Sequence, residues 1–119
     1  EIGISAFGSC ISLESMDFGG CNALKEIKGG AFGGTSLESV NFQGCTALQD
    51  IQSAAFASCP SLKNLDLSNC SALTNIGDGA FSNCTSLKIV NFSNCNALKK
   101  IEANAFLGCT SLESMDLHK

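Results

Sequence analysis

Apolar positions recur in this chain with a period much longer than that of a single helix or strand. The dipeptide Ala-Phe returns every 24 or 25 residues, at residues 6–7, 31–32, 55–56, 80–81 and 105–106. Between two such dipeptides the apolar residues keep a fixed order, which over residues 84–101 reads C-x-x-L-x-x-V-x-F-x-x-C-x-x-L-x-x-I. Such a period is typical of solenoids, in which each unit packs on its neighbours and cannot fold alone.

Each repeat contains two short stretches that we expect to be extended. Alternation such as Leu65-Asp66-Leu67 sends successive side chains to opposite faces, which predicts a strand, and residues 70–76 predict a second extended side. Stacked repeats would pair these strands in parallel at about 4.8 Å per coil. Glycines before Ala-Phe permit a tight bend there, and the Ala-Phe-x-x-Cys segment predicts a single helical or 3₁₀ turn.

The second repeat is one residue shorter than the others. Residues 32–37 lack the cysteine that the other copies carry after Ala-Phe, at Cys10, Cys59, Cys84 and Cys109. Because loops tolerate changes in length, we expect a corner of the coil to absorb this deletion locally.

These residues resemble a known family. Residues 62–73 read L-x-x-L-x-L-x-x-C-x-x-L, which is the leucine-rich-repeat signature with Cys at its Asn-or-Cys position. Residues 73–84, LTNIGDGAFSNC, resemble the BspA-like subclass of microbial surface proteins, whose units carry I-G-x-x-A-F-x-x-C. The additional Cys turn at residues 68–70 is also similar to cysteine-containing leucine-rich repeats.

This resemblance covers essentially the whole chain and implies a leucine-rich-repeat solenoid of about five 25-residue coils, with a parallel β-sheet on its concave face. It implies an elongated scaffold used for protein recognition or adhesion, and a cell-surface or secreted location. It implies no active site, so no catalytic residue is transferred to this chain. We expect residues 1–119 to form a single solenoid domain.

Composition and net charge argue against several further classes of function. A net charge of −4 argues against nucleic acid as a partner, and no apolar run approaches the roughly 18 residues of a membrane span. The chain has one histidine, His118, which could pair with Cys109 on paper but lacks a third group to orient it. We therefore expect no enzyme and no cofactor.

The eight cysteines occupy two repeat positions. Stacked residues of one column would have parallel Cβ atoms about 4.8 Å apart, whereas a disulfide requires converging Cβ atoms nearer 3.8 Å. We expect reduced, buried thiols that fill the interior, which would also be compatible with an intracellular location. A disulfide framework and a zinc or iron–sulfur site are the alternatives, the latter disfavoured because no Cys-x-x-Cys pair occurs.

Any binding site must use the positions that leave the interior columns. Between the two inward residues of each strand, Asp and Asn alternate from coil to coil, and neighbouring Asp and Asn can hydrogen-bond. A stacking ladder is our main interpretation of this row, and a calcium site is the alternative, although calcium needs six to eight oxygens. The candidate partner-facing residues are Ser15, Asp17, Asn41, Gln43, Asn64, Asp66, Ser68, Ile89, Asn91 and Asp116.

No polar capping repeat is present at either end of the sequence. The pattern is already in phase at Ile2 and runs through Leu117. We expect the chain to be a segment of a longer repeat array whose partner is an unknown protein. The alternative is a structural element that stacks head-to-tail with copies of itself through apolar columns and sheet edges.

Overall fold

The chain winds as a solenoid whose short strands form two separate parallel sheets. The structure is a computed structural model that describes residues 1–116, so Leu117 and His118 lie outside the described residues. Odd-numbered strands form a five-stranded sheet in the order β1-β3-β5-β7-β9, and even-numbered strands form a four-stranded sheet in the order β2-β4-β6-β8. The strands are β1 Ser15–Asp17, β2 Glu26–Ile27, β3 Ser39–Asn41, β4 Asp50–Ile51, β5 Asn64–Asp66, β6 Asn75–Ile76, β7 Ile89–Asn91, β8 Lys100–Ile101 and β9 Ser114–Asp116. The predicted leucine-rich-repeat solenoid is confirmed.

The pairing register keeps equivalent residues of successive repeats in contact. In the five-stranded sheet Val40 pairs with Leu65 and Leu65 with Val90, and all three side chains are buried. In the four-stranded sheet Ile51 pairs with Ile76, and both point inward. Each apolar position of the repeat therefore becomes a continuous column inside the coil, as the periodicity predicts.

The phenylalanines form the largest of these columns. Rings of the Ala-Phe dipeptides stack nearly parallel with centroids 4.9 Å apart between Phe32 and Phe56 and 5.2 Å apart between Phe56 and Phe81. The strand-end phenylalanines approach this column edge-on, as Phe42 does against Phe56 at 6.0 Å and 79°. Offset-stacked and edge-on contacts are the two arrangements that aromatic quadrupoles favour, so these rings fill the middle of the coil in favourable geometry.

The corners of the coil are turns with left-handed residues. Around the fourth Ala-Phe, the Ser82 amide donates to the Gly79 carbonyl oxygen at 3.0 Å and the Cys84 amide to that of Phe81 at 3.3 Å. These i→i+3 bonds close consecutive β-turns. Because Gly79 and Asn83 have positive φ, which a helical or 3₁₀ turn does not allow, β-turns replace the predicted helical or 3₁₀ turn, and no helix forms within residues 1–116.

The one-residue deletion in the second repeat falls at a corner. Thr35 takes the position of the missing cysteine, because its amide donates to the Phe32 carbonyl oxygen as the cysteine amides do in other repeats. Its hydroxyl lies 3.3 Å from the Cys59 sulfur, so the column continues with oxygen in place of sulfur. The lost residue comes from the turn that follows, and Leu37 remains fully buried.

Candidate partner-binding face

Three rows of side chains leave the interior along the five-stranded sheet. The amino-end row contains the first residue of each strand: Ser15, Ser39, Asn64, Ile89 and Ser114. The carboxyl-end row contains the last residue of each strand: Asp17, Asn41, Asp66, Asn91 and Asp116. The charged row contains the residue before each strand: Glu14, Glu38, Lys63, Lys88 and Glu113.

The side chains of the carboxyl-end row form the turns at which the strands end. The Oδ1 atom of Asp66 accepts hydrogen bonds from the Ser68 amide at 2.9 Å and from the Ser68 hydroxyl at 2.6 Å. In the next coil the Asn91 Oδ1 atom accepts the Ser93 amide at 2.9 Å. These bonds are Asx turns, in which a side-chain oxygen replaces a backbone acceptor. The carboxyl-end row is therefore occupied mainly in shaping the corner.

Contacts between coils in this row differ from one pair of repeats to the next. The Asn41 amide nitrogen donates to Asp17 Oδ1 at 3.2 Å, which is the Asp–Asn hydrogen bond that the alternation predicts. At the other end of the sheet it is the Ser93 hydroxyl that bonds Asp116 Oδ2, at 2.9 Å. The row is thus a polar ladder in which serine also takes part.

Ser68 does not present its side chain to a partner. It is 6% exposed, and its hydroxyl is held by Asp66. The sequence prediction counted Ser68 as partner-facing because it follows an inward residue, and that placement is wrong. Gln43, at the same repeat position in the second coil, is exposed. A serine two residues after Asp is itself a sign of an Asx turn, and this signal could have identified the burial.

The side chains of the amino-end row do not form turns of this kind. All its residues are exposed, and Ile89 exposes 47% of its surface. Within residues 1–116 the side chains of Ser15, Ser39 and Asn64 make no hydrogen bond. Side chains that neither pack nor bond are available to a partner at little cost to the fold.

The charged row was not singled out from the sequence. Backbone bonds stack it in register: the Lys63 amide donates to the Glu38 carbonyl oxygen at 2.9 Å, and the Lys88 amide to that of Lys63 at 2.9 Å. The ion pairs found among residues 1–116, Lys28–Glu26 and Lys100–Glu102, lie on the other sheet. The signal was the order Glu, Glu, Lys, Lys, Glu after the first leucine of successive repeats.

Six cysteine side chains bond within the coil, and for four of them, Cys45, Cys70, Cys95 and Cys109, burial raises the pKa of the thiol. Each of six cysteine sulfurs donates to a backbone carbonyl oxygen of the preceding coil at 3.0 to 3.2 Å, as Cys70 does to Phe42 and Cys84 to Phe56. Burial raises the pKa of the Cys70 thiol to about 12, and burial also raises the pKa values of Cys45, Cys95 and Cys109. Because these four thiols stay protonated and donate to carbonyl oxygens, they are poor nucleophiles and poor metal ligands. The proposed partner of Cys109, His118, lies outside the described residues.

A shallow cavity of about 420 Å³ lies on the four-stranded sheet. Three of its lining residues, Asp50, Asp78 and Glu102, carry carboxylates, and the Asn75 amide nitrogen donates to Asp50 Oδ1 at 3.0 Å. Gly77 forms part of its floor, where a Cβ atom would lie 2.7 Å from the backbone of Gln52. Among residues 1–116 no group of three His, Cys, Asp or Glu side chains is placed to hold a metal ion.

Comparisons with known proteins agree with this architecture. A family model described as BspA type leucine-rich repeat region matches residues 1–119 with six copies of its unit. Neither the curated proteins nor the solved structures include a match. In the part of the chain that the structure describes, no helix is long and apolar enough to cross a membrane. The chain belongs to the BspA-type leucine-rich repeat family, whose members are repeat scaffolds.

Proposed function

We propose that this chain is a non-catalytic scaffold that recognises a protein partner through the amino-end row and the charged row of its five-stranded sheet. One observation carries the proposal: the side chains of these two rows are exposed and make no hydrogen bond or ion pair within residues 1–116, whereas the interior columns and most of the carboxyl-end row are engaged by the fold. The family is a repeat scaffold family that is not known for catalysis, which supports the same conclusion.

The middle of the face is the part that can discriminate between partners. The sequence Ser-Leu-Glu-Ser repeats at residues 12–15, 36–39 and 111–114, but the third and fourth coils replace it with Lys63-Asn64 and Lys88-Ile89 at the exposed positions. An exposed isoleucine beside two lysines fits an acidic surface that carries an apolar group. The family resemblance also implies adhesion. In that role the same face would bind a partner that is attached to another surface.

Residue-specific photo-cross-linking tests the proposal. A photoreactive amino acid at position 64 would report contacts of the face, and the same probe at position 99, an exposed lysine before β8, would report the opposite side. In an extract of the organism that produces the chain, we expect a discrete cross-linked protein from position 64 only.

The partner identified in this way should then bind the Asn64→Glu/Ile89→Glu double variant at least about tenfold more weakly. Lys25→Glu/Lys99→Glu, which alters exposed residues outside the face, is the control and should bind like the unmodified chain. Cross-linking only from position 99, or unchanged affinity of the face variant, would refute the proposal.

Head-to-tail stacking is a second proposal that rests on a different surface. The first coil exposes large apolar side chains, with Ile4 78% and Ile11 75% exposed, and its Cys10 and Cys21 thiols are exposed although their equivalents in the middle coils are buried. Copies stacking on this coil would form chains of growing mass. Light scattering of residues 1–119 over a roughly hundredfold concentration range should then show continuous growth, and fusing a polar capping coil should stop it.

A further inference from the structure

We propose that the five-stranded sheet pairs face-to-face with a second copy of this chain, with the two solenoids antiparallel. The inference rests on the proposed function, for which it names the partner. The two-fold axis would run parallel to the strands and pass between the second and third coils. Each row of one copy would then face the same row of the other in reversed order.

The charged row carries this inference. From the first to the fourth coil it reads Glu14, Glu38, Lys63, Lys88. Reversal of this order places Glu14 opposite Lys88 of the second copy and Glu38 opposite Lys63, and the symmetry repeats both contacts. Every charge of these four coils then meets an opposite charge.

Within one chain this order of charges places like charges next to each other. Glu14 and Glu38 are direct neighbours in the stack, and so are Lys63 and Lys88, as their backbone hydrogen bonds show. Like charges side by side on adjacent strands are destabilising, and none of these four side chains forms an ion pair within residues 1–116. A second copy would therefore neutralise charges that the fold leaves adjacent and uncompensated.

The order of charges also selects a single register. If the second copy slides by one coil so that the third coils face each other, Glu38 still meets Lys88, but Lys63 meets Lys63 and Glu14 meets Glu113. A slide by one coil in the other direction pairs Glu14 with Lys63 but places Glu38 opposite Glu38, and a slide by two coils that brings Lys63 opposite Lys88 makes every contact repulsive. Among registers that overlap by three or more coils, the proposed one alone makes every contact of this row attractive, and this difference favours it over its neighbours.

The carboxyl-end row is compatible with the same register and disfavours a slide by one coil. It alternates Asp17, Asn41, Asp66, Asn91, so reversal over four coils places each Asp opposite an Asn of the second copy. A slide by one coil would instead place Asp66 opposite Asp66. In the favoured register Ile89 faces Ser15, a small residue that leaves room for it.

The area of the face determines how strongly the two copies should associate. Four short strands with three outward rows form a small interface, below the area of a stable dimer, so association should be weak and dependent on concentration. Because the contacts are between exposed charges, added salt should weaken it.

Charge reversal combined with sedimentation equilibrium tests the proposal. A polar capping coil fused to the first coil blocks the end-to-end contact, and we expect the capped chain to reach a dimer and no larger species as the concentration rises over a roughly hundredfold range. Lys63→Glu/Lys88→Glu should weaken association by about tenfold or more. Lys25→Glu/Lys99→Glu changes the net charge equally but lies off the face, so it should associate like the unmodified chain.

The fourfold exchange Glu14→Lys/Glu38→Lys/Lys63→Glu/Lys88→Glu tests the orientation. The exchanged chain keeps its self-complementarity and should dimerise with itself. It should not pair with the unmodified chain, because every antiparallel contact between them is repulsive. Energy transfer between differently labelled chains measures both pairings.

Three results would overturn the proposal: a monomer throughout the range, a dimer that resists Lys63→Glu/Lys88→Glu, or preferential pairing of the exchanged and unmodified chains, which would indicate a parallel arrangement. The proposed function fails separately. A monomeric chain that still cross-links a different protein from position 64 would refute the dimer and retain the recognition face, whereas a chain that cross-links neither a second copy nor a different protein from position 64 would refute both.

Discussion

The inside and the outside of the same strands follow different rules. Inward positions hardly change from coil to coil: phenylalanine stacks on phenylalanine, isoleucine pairs with isoleucine, and thiols repeat the same bond to a carbonyl oxygen. Outward positions of the amino-end and charged rows change in the middle coils, where Lys63, Asn64, Lys88 and Ile89 replace Glu and Ser. The comparison teaches that stacking demands side chains of compatible size and polarity, whereas recognition requires the positions that stacking leaves free.

Truncation within the phenylalanine column should have the largest effect. Phe56 is fully buried between Phe32 and Phe81, so Phe56→Ala should lower the free energy of unfolding by about 3–5 kcal/mol. Phe7 is only partly buried at the edge of the same column, so Phe7→Ala should cost clearly less. Urea denaturation measures both, and equal costs would mean that the column is not the centre of the fold.

Substitutions in the carboxyl-end row should lower the free energy of unfolding less than substitutions in the interior, but more than substitutions in the other outward rows. Asp66→Ala removes the acceptor of the buried Ser68 amide and hydroxyl and should cost about 2 kcal/mol. Asp66→Asn retains an acceptor oxygen, as Asn91 does in the next coil, and should stay within about 0.5 kcal/mol of the unmodified chain. A full loss in Asp66→Asn would show that the charge and not the turn is what matters.

The thiols should make stability depend on alkaline pH. Because burial raises the pKa of Cys70 to about 12, above the value of about 8.5 for an unfolded chain, its contribution is complete below pH 8.5 and is lost as pH rises towards 12. Cys70→Ala should cost about 1 kcal/mol at pH 7 through the lost bond to Phe42 and should flatten this decline. Denaturation midpoints at pH 7 to 11 measure the slope, and an unchanged slope would contradict the assignment.

Changes in the amino-end row should have the smallest effect on stability. Asn64→Ala and Ile89→Ser remove exposed side chains, and each should shift the free energy of unfolding by less than about 0.5 kcal/mol. If either costs as much as Asp66→Ala, the row is part of the fold and the distinction between free and engaged rows fails.

Periodicity predicted what stacking controls. The columns of Leu65, Phe56 and Ile76, the parallel pairing and the location of the deletion in a corner all follow from the repeat, because a stacked position must match its neighbour. Periodicity could not predict the burial of Ser68, since that depends on a local bond to Asp66 and not on the pattern of apolar residues. It also did not reveal that cysteine sulfurs bond carbonyl oxygens of the preceding coil.

The charged row shows a second limit of pattern reading. A single repeat gives no reason to compare Glu14 with Lys88. Their significance depends on stacking, which places them in one line at one residue per coil. A functional pattern in a solenoid has to be read across the repeats, after the coil is known.

Alkylation of the native thiols, followed by mass spectrometry, tests the central claim that inward positions are sealed packing columns and only the outward rows are available to partners. The account predicts rapid labelling of Cys10 and Cys21, slower labelling of the partly buried Cys109, and labelling of Cys45, Cys59, Cys70, Cys84 and Cys95 only after unfolding. Rapid labelling of the five buried thiols in the folded chain would contradict it.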